Sequence, residues 1–317
     1  MKVKKEYVIL VLLIVGLSLY LFLHKQDRTQ YEMPVLQEVP ASEITRMEIL
    51  KPGGPALALE RKNDGWILLP EAYPAESGRV SALLESIGNL RLTALVSESK
   101  NYERYGLTKE EKIGVKAWAR EKLKRDFEVG KAAPTSPHTF VLLAGDPRVF
   151  QARENLKARF NQTLDDLRDK SVFKFDPSTV EAIDLVDGQK TLSLTRKPIP
   201  VDVGTGQKRE PAPGQAEGVW QSAEGKVDDS KVTQLLNALS NLNCRAYLYD
   251  QKKSDLKSQV YTVKVKTMED HSLSLFAKNE KDKNDHPAVS SQNDSPFLLS
   301  DQQAKQIMVP LDQIVKP

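Results

Sequence analysis

Four histidines, one cysteine and a few adjacent carboxylates are the residues of this 317-residue chain that could do chemistry. A zinc site needs imidazoles or thiolates converging on one ion, commonly at H-x-x-x-H or H-E-x-x-H spacing on a helix face. His24, His138, His271 and His286 show no such spacing. Cys244 is the single cysteine, so neither an intramolecular disulfide nor a cysteine-only metal site can form. Beside the apolar run ending at Leu242, it reads as a small buried side chain.

A phosphate loop needs glycine, four residues and then Gly-Lys-Ser/Thr, so that backbone amides cradle phosphate and the hydroxyl holds magnesium. Gly225-Lys226-Val227 lacks both the hydroxyl and the first glycine. Gly204-Thr205-Gly206 opens like a dinucleotide fingerprint, but Arg209 takes the third glycine position. There is no G-x-S-x-G elbow. Asp165-Asp166 and Asp228-Asp229 are sequence neighbours whose side chains diverge on a helix, and Asp228, Asp229 and Ser230 suit a helix N-terminus, where they cap amides. No catalytic, cofactor-binding or metal-binding residue is assigned, and no cofactor is expected.

The elements that would position such residues begin with an anchor. Tyr7 to Leu23 is an uncharged apolar run, expected to form a single-pass transmembrane helix acting as an uncleaved signal anchor. As a helix it rises about 25 Å, short of a ~30 Å hydrocarbon core, with Lys5 and Lys25 placed to snorkel. Lys2, Lys4 and Lys5 before the run favour a cytoplasmic N-terminus (1–6) and a body on the far side of an inner membrane. Residues 24–41 read as a polar tether with Pro34 and Pro40.

The remainder has the balance of a folded protein, 40% hydrophobic and 28% charged, and its net charge of +3 is spread in mixed-sign runs. That is a solvated surface and excludes a nucleic-acid stripe. It is also internally duplicated. Val80, Leu83, Leu84, Ile87 and Leu90 trace one helix face, and Val232, Leu235, Leu236, Leu239 and Leu242 repeat the spacing.

Ile44, Met47 and Ile49 match Val180, Ile183 and Leu185, and the strands they open close at Trp66 and Trp220, each expected to plug its own core. Val115-Lys116-Ala117 matches Val263-Lys264-Val265, Phe127 matches Leu275, and His138 matches His286. Thr163-Leu164-Asp165-Asp166-Leu167 answers Pro310-Leu311-Asp312-Gln313-Ile314. Each unit reads β-β-β-α-β-β-β-β-β-α. The expected fold class is α+β: the transmembrane helix, then two tandem repeats of mainly antiparallel sheet with packed helices, over 42–170 and 178–317, joined by 171–177. A Pro/Gly-rich insertion, 198–217, interrupts the second repeat.

Three segments together carry a resemblance: the N-terminal run, Arg104-Tyr105-Gly106-Leu107, and Leu164-Asp165-Asp166-Leu167-Arg168-Asp169-Lys170 followed by Phe173-Lys174-Phe175-Asp176-Pro177. The chain resembles the bacterial domain-of-unknown-function family 4340. The resemblance implies a single-span envelope protein associated with gliding-type ABC transporters, and it brings no catalytic residue with it. The second repeat departs from the signature, with Asp255-Leu256 in place of Tyr-Gly-Leu and Ile314-Val315-Lys316 in place of Leu-Arg-Asp.

Physically, Tyr105-Gly106-Leu107 reads as a turn with Gly106 free to take positive φ, and Arg168 and Asp169 as formers of local charge-assisted bonds. The expected function is a non-enzymatic accessory subunit of an envelope ABC-type transport assembly, with transporter subunits as partners and no nucleic acid. The alternatives are an exported glycan-, lipid- or peptide-binding module using the cleft between the repeats, and an enzyme in which His138, His286 or paired carboxylates converge.

Overall fold

The computed structural model describes residues 5–23, 32–63, 65–135, 137–198, 201–202, 208–209, 218–278 and 284–316. His24, the start of the tether, the Gly204-Thr205-Gly206 motif and most of the 198–217 insertion lie outside the described residues. The first element, α1 (Lys5–Leu23), forms where the apolar run predicts a helix. Among the described residues, however, no helix is long and apolar enough to cross a membrane. This corrects the transmembrane, single-pass and signal-anchor expectations. The reason is length: a span needs about 20 predominantly apolar residues, and this run is shorter.

The first half continues through β1 (Arg46–Leu50), β2 (Leu57–Lys62), β3 (Gly65–Leu69), β4 (Tyr73–Pro74), α2 (Ser77–Gly88), β5 (Leu92–Ser97), β6 (Ile113–Ala119), β7 (Lys122–Ala132), β8 (His138–Leu143), β9 (Val149–Arg153), α3 (Leu156–Phe160) and α4 (Leu164–Leu167). The second half contains β10 (Ser171–Lys174), β11 (Ala182–Asp187), β12 (Lys190–Pro198), β13 (Val201–Asp202), β14 (Lys208–Arg209), β15 (Gly218–Gln221), β16 (Lys226–Val227), α5 (Asp229–Leu239), β17 (Asn241–Asn243) and β18 (Ala246–Tyr247). It ends with β19 (Gln259–Lys266), β20 (Asp270–Phe276), β21 (Asp285–Ser290), β22 (Asn293–Ser300), α6 (Asp301–Ile307), α7 (Leu311–Ile314) and β23 (Val315–Lys316). These elements form two compact units: residues 1–61 with 81–162, and residues 62–80 with 163–317.

In the first unit the antiparallel strand order is β2-β1-β6-β7-β8-β9-β5. Period-2 alternation buries Met47 and Ile49 on one face of β1, opposite Ala117 and Val115 of β6. Leu83, Leu84 and Ile87 of α2 are buried, and Phe160 of α3 meets Phe127 edge-to-face at 5.9 Å. Buried Arg125 donates from Nε to the carbonyl of Ile87 (3.2 Å) and from Nη2 to those of Gly88 (3.3 Å) and Gln37. One guanidinium thus satisfies the carbonyls that the end of α2 leaves open and holds residues 37–39 against them. The contact there is so close that a Cβ on Gly88 would stand 2.3 Å from the Val39 carbonyl oxygen.

In the second unit the order is β15-β12-β11-β19-β20-β21-β22-β18, again antiparallel. Ile183, Leu185, Val263, Val265, Leu273 and Leu275 build its core with Val232, Leu235, Leu236 and Leu239 of α5. Matched by place in the chain, β12-β11-β19-β20-β21-β22-β18 follows the same path as the seven strands of the first unit, so the duplication appears as one topology drawn twice.

Strand pairing corrects two of the sequence matches. Val115 faces Phe127, whereas Val263 faces Leu273, so Phe127 corresponds to Leu273 and Val129 to Leu275. The β6–β7 hairpin runs two residues longer than β19–β20, a difference that equal sequence spacing hides. Val141 faces Val129 and Ala288 faces Leu275, so His138 corresponds to Asp285 and the two histidines are not equivalent. Trp220 is buried, as expected, while Trp66 is only partly so.

Candidate functional site

The two signature segments have different roles. Tyr105-Gly106-Leu107 is a packing device of the first unit. Gly106 takes φ 63°, as a left-handed turn residue must, and Tyr105 meets Phe140 edge-to-face at 5.0 Å. The turn lies directly on β7, where a Cβ on Gly130 would come 2.3 Å from the Tyr105 carbonyl oxygen.

The Leu164–Lys170 segment belongs to the second unit and is built for a different task. Thr163 and Asp166 form a capping box over α4: Thr163 Oγ1 accepts from Asp166 N (3.1 Å) and Asp166 Oδ2 accepts from Thr163 N (2.8 Å). The Thr163 hydroxyl and amide hold the Asp166 carboxyl below the usual carboxylate range. Leu167 is fully buried, and Arg168 leaves the helix with extended backbone. The chain is then tied to residues 74–76, with Glu76 N donating to Leu167 O (2.8 Å) and Asp169 N to Pro74 O (2.9 Å). The second repeat closes in the same way, with Asp228 N donating to Ile314 O (2.8 Å) and Val227 paired with Val315. Val315 therefore stands where the first repeat has Arg168.

That arginine is 3% exposed, and its guanidinium lies between two rings, with Cζ 3.7 Å from the Tyr73 centroid and 3.4 Å from that of Tyr247. Tyr249 provides a third ring at 5.5 Å. Nη2 donates to Ser295 Oγ at 2.9 Å, whereas Nε and Nη1 have no hydrogen-bond partner among the described residues. Asp165, a nearby carboxylate, pairs with Lys170 through Oδ2 and accepts from the Tyr249 hydroxyl (3.2 Å) through Oδ1. Tyr247 Oη donates to Asp169 O (2.6 Å) and accepts from Asn293 Nδ2 (3.2 Å). Burial pushes the Tyr247 phenol well above its ordinary value and the Tyr249 phenol up to about 12. Cys244, buried nearby, has its thiol pushed up to about 11 by desolvation. A cavity of about 360 Å³ adjoins the group, lined by Tyr73, Tyr249, Ser295, Lys252, Lys253 and Asp294 among others.

The other residues weighed from sequence do not join this site. Asp228 caps α5, accepting from Ser230 N (3.1 Å) and Lys231 N (3.3 Å). Gly225 lets β16 pass close to β23, since a Cβ there would lie 2.3 Å from the Lys316 carbonyl oxygen, so its role is packing. His138 Nδ1 contacts Thr135 O (2.9 Å) in the first unit, and His286 Nε2 lies 3.6 Å from Asp301 Oδ1 in the second. His271 Nδ1 meets Gln292 Nε2 at 3.0 Å. Sequence reasoning picked out Arg168 and Asp165 but missed all three tyrosines. Their only local signal is the pair Tyr247 and Tyr249, two residues apart in an extended stretch.

Sheet topology and site together define a duplicated α+β protein whose site rests on an arginine that only the first repeat supplies. The model of a family described as a domain of unknown function (DUF4340) matches residues 66–264, and the chain belongs to that family. No curated protein and no solved structure matches it.

Proposed function

We propose that the protein is a non-enzymatic accessory subunit of an envelope ABC-type transport assembly. In this reading its body works outside the cytoplasm and meets a partner through the surface around Arg168. The observation that carries the reading is the buried Arg168 guanidinium held between the rings of Tyr73 and Tyr247. Burial raises the pKa of the neighbouring thiol and phenol, which suits them to packing and donation. That guanidinium is clasped by aromatic faces, an arrangement suited to recognition. Further support comes from the duplicated, strand-rich body, in which one repeat has an arginine where the other has valine.

The test is affinity purification of the tagged full-length chain in mild detergent, with mass spectrometry of what comes with it. Transporter subunits should co-purify, and their recovery should fall with Tyr249→Ala. Repeated recovery of the chain alone would refute the assembly reading.

A further inference from the structure

We propose that the cavity beside Arg168 is an oxyanion site, taking a carboxylate or phosphate group of the molecule that this surface recognises. The inference rests on the reading of the Arg168 surface as a recognition site and names its ligand chemistry. The argument starts from a deficit. Arg168 is 3% exposed and permanently charged, yet its Nε and Nη1 have no hydrogen-bond partner among the described residues. Buried donors are nearly always satisfied, and a buried cation without a counter-charge is costlier still.

No residue described here supplies that counter-charge. Asp165 is occupied by Lys170 and Tyr249, and Asp169 Oδ1 accepts from Ser171 N at 2.9 Å. Stacked rings at 3.7 and 3.4 Å close both faces of the guanidinium, so a partner must approach in its plane. There the planar fork matches the two oxygens of a carboxylate or phosphate.

A cavity of about 360 Å³ adjoins the clasp, with Arg168 itself behind its lining residues. It is walled by Tyr73, Tyr249 and Ser295, which all contact Arg168, with Lys252 and Lys253 adding positive charge and Asp294 opposing it. Tyr249, 46% exposed, is the most open of the three rings, and exposed side chains change rotamer in picoseconds to nanoseconds. In this proposal a swing of Tyr249, at the cost of its 3.2 Å bond to Asp165 Oδ1, uncovers the guanidinium edge. The competing occupant is water, which would leave the site without preference among anions.

The experiment follows arginine side-chain NMR of the 15N-labelled full chain during titration with sodium acetate and, separately, inorganic phosphate, against sodium chloride at matched ionic strength. The Arg168 Nε–H signal, assigned by its loss in Arg168→Lys, should move saturably with acetate or phosphate and not with chloride. The arm that saturates at lower concentration identifies the group. A signal that stays in place in both arms, or moves equally with chloride, overturns the proposal. If Arg168→Lys fails to fold, thermal melts decide: acetate or phosphate should raise the midpoint of the wild type and of Tyr249→Ala above the chloride value, and equal midpoints in all salts overturn it. Because no transporter subunit is present, an oxyanion response without co-purifying partners would refute the assembly reading alone. Co-purification without an oxyanion response would refute this inference alone.

Discussion

The Cζ of Arg168 lies 3.4 Å from the ring centroid of Tyr247, residues 79 positions apart in sequence, with Tyr73 stacked on the opposite face at 3.7 Å. One guanidinium thereby joins the hairpin before α2, the closing segment of the first repeat and the last strand of the second sheet. Desolvated cation–π contacts are worth about 2 kcal/mol each, while the two unpartnered nitrogens offset part of that gain. Arg168→Ala should therefore destabilise the second unit by about 2 kcal/mol net in urea unfolding, and a loss below roughly 0.5 kcal/mol would show the clasp to be energetically idle.

The turn at Tyr105-Gly106-Leu107 rests on bare backbone at Gly130. An alanine at 130 would bring its Cβ to 2.3 Å from a carbonyl oxygen that cannot move without shifting the whole turn, and about 2–3 kcal/mol should be lost. Gly106→Ala meets the left-handed penalty at φ 63° and a milder contact, 3.0 Å from the Lys131 amide nitrogen, about 1–2 kcal/mol. The order of the two thermal midpoints checks this: a Gly130→Ala protein as stable as Gly106→Ala contradicts the close packing.

Arg125 should be essential to the first unit, for its loss removes the donor to the carbonyls of Ile87 and Gln37 and leaves Gly88 O with the Val39 amide alone. Arg125→Met is expected to cost roughly 3 kcal/mol and to abolish hydrogen-exchange protection of the Val39 amide, which donates to Gly88 O at 3.2 Å. Unchanged protection there would mean that the 37–39 segment is held by other contacts.

Cys244 gives a pH dependence with a definite sign. Burial raises its thiol from 9.0 to about 11, so the unfolded chain releases this proton at a pH where the folded chain still holds it. The stabilisation is whole below pH 9 and is lost as pH rises through 11. Between pH 9 and 10, ahead of most tyrosine ionisation, the wild-type urea midpoint should fall more steeply than that of Cys244→Ala. Parallel slopes would place the thiol in water.

Much of the fold was legible because the burial pattern is written in residue spacing. Val80 to Ile87 and Val232 to Leu239 specify helices by recurrence at 3.6 residues, and Met47 and Ile49 or Ile183 and Leu185 specify strands by alternation. Equal spacing also misleads: Phe127 lies as far beyond Ala117 as Leu275 beyond Val265, but the first hairpin is two residues longer, so Leu273 takes the place of Phe127. The apolar run before the tether marked a helix correctly and overstated its reach, since composition reports polarity more firmly than it reports length against a bilayer.

The site was legible on one side only. Local sequence determined the capping box of Thr163 and Asp166, the αL turn at Gly106 and the repeat itself, because each depends on residues within a few positions of one another. The clasp on Arg168 was decided by tertiary structure. Tyr73, Tyr247 and Tyr249 come from stretches far from Arg168 along the chain, and a cation–π contact has no sequence period. A signature arginine could be read as charged and local. That it is buried, flanked by rings and short of two hydrogen-bond partners follows only once the chain has brought those segments together.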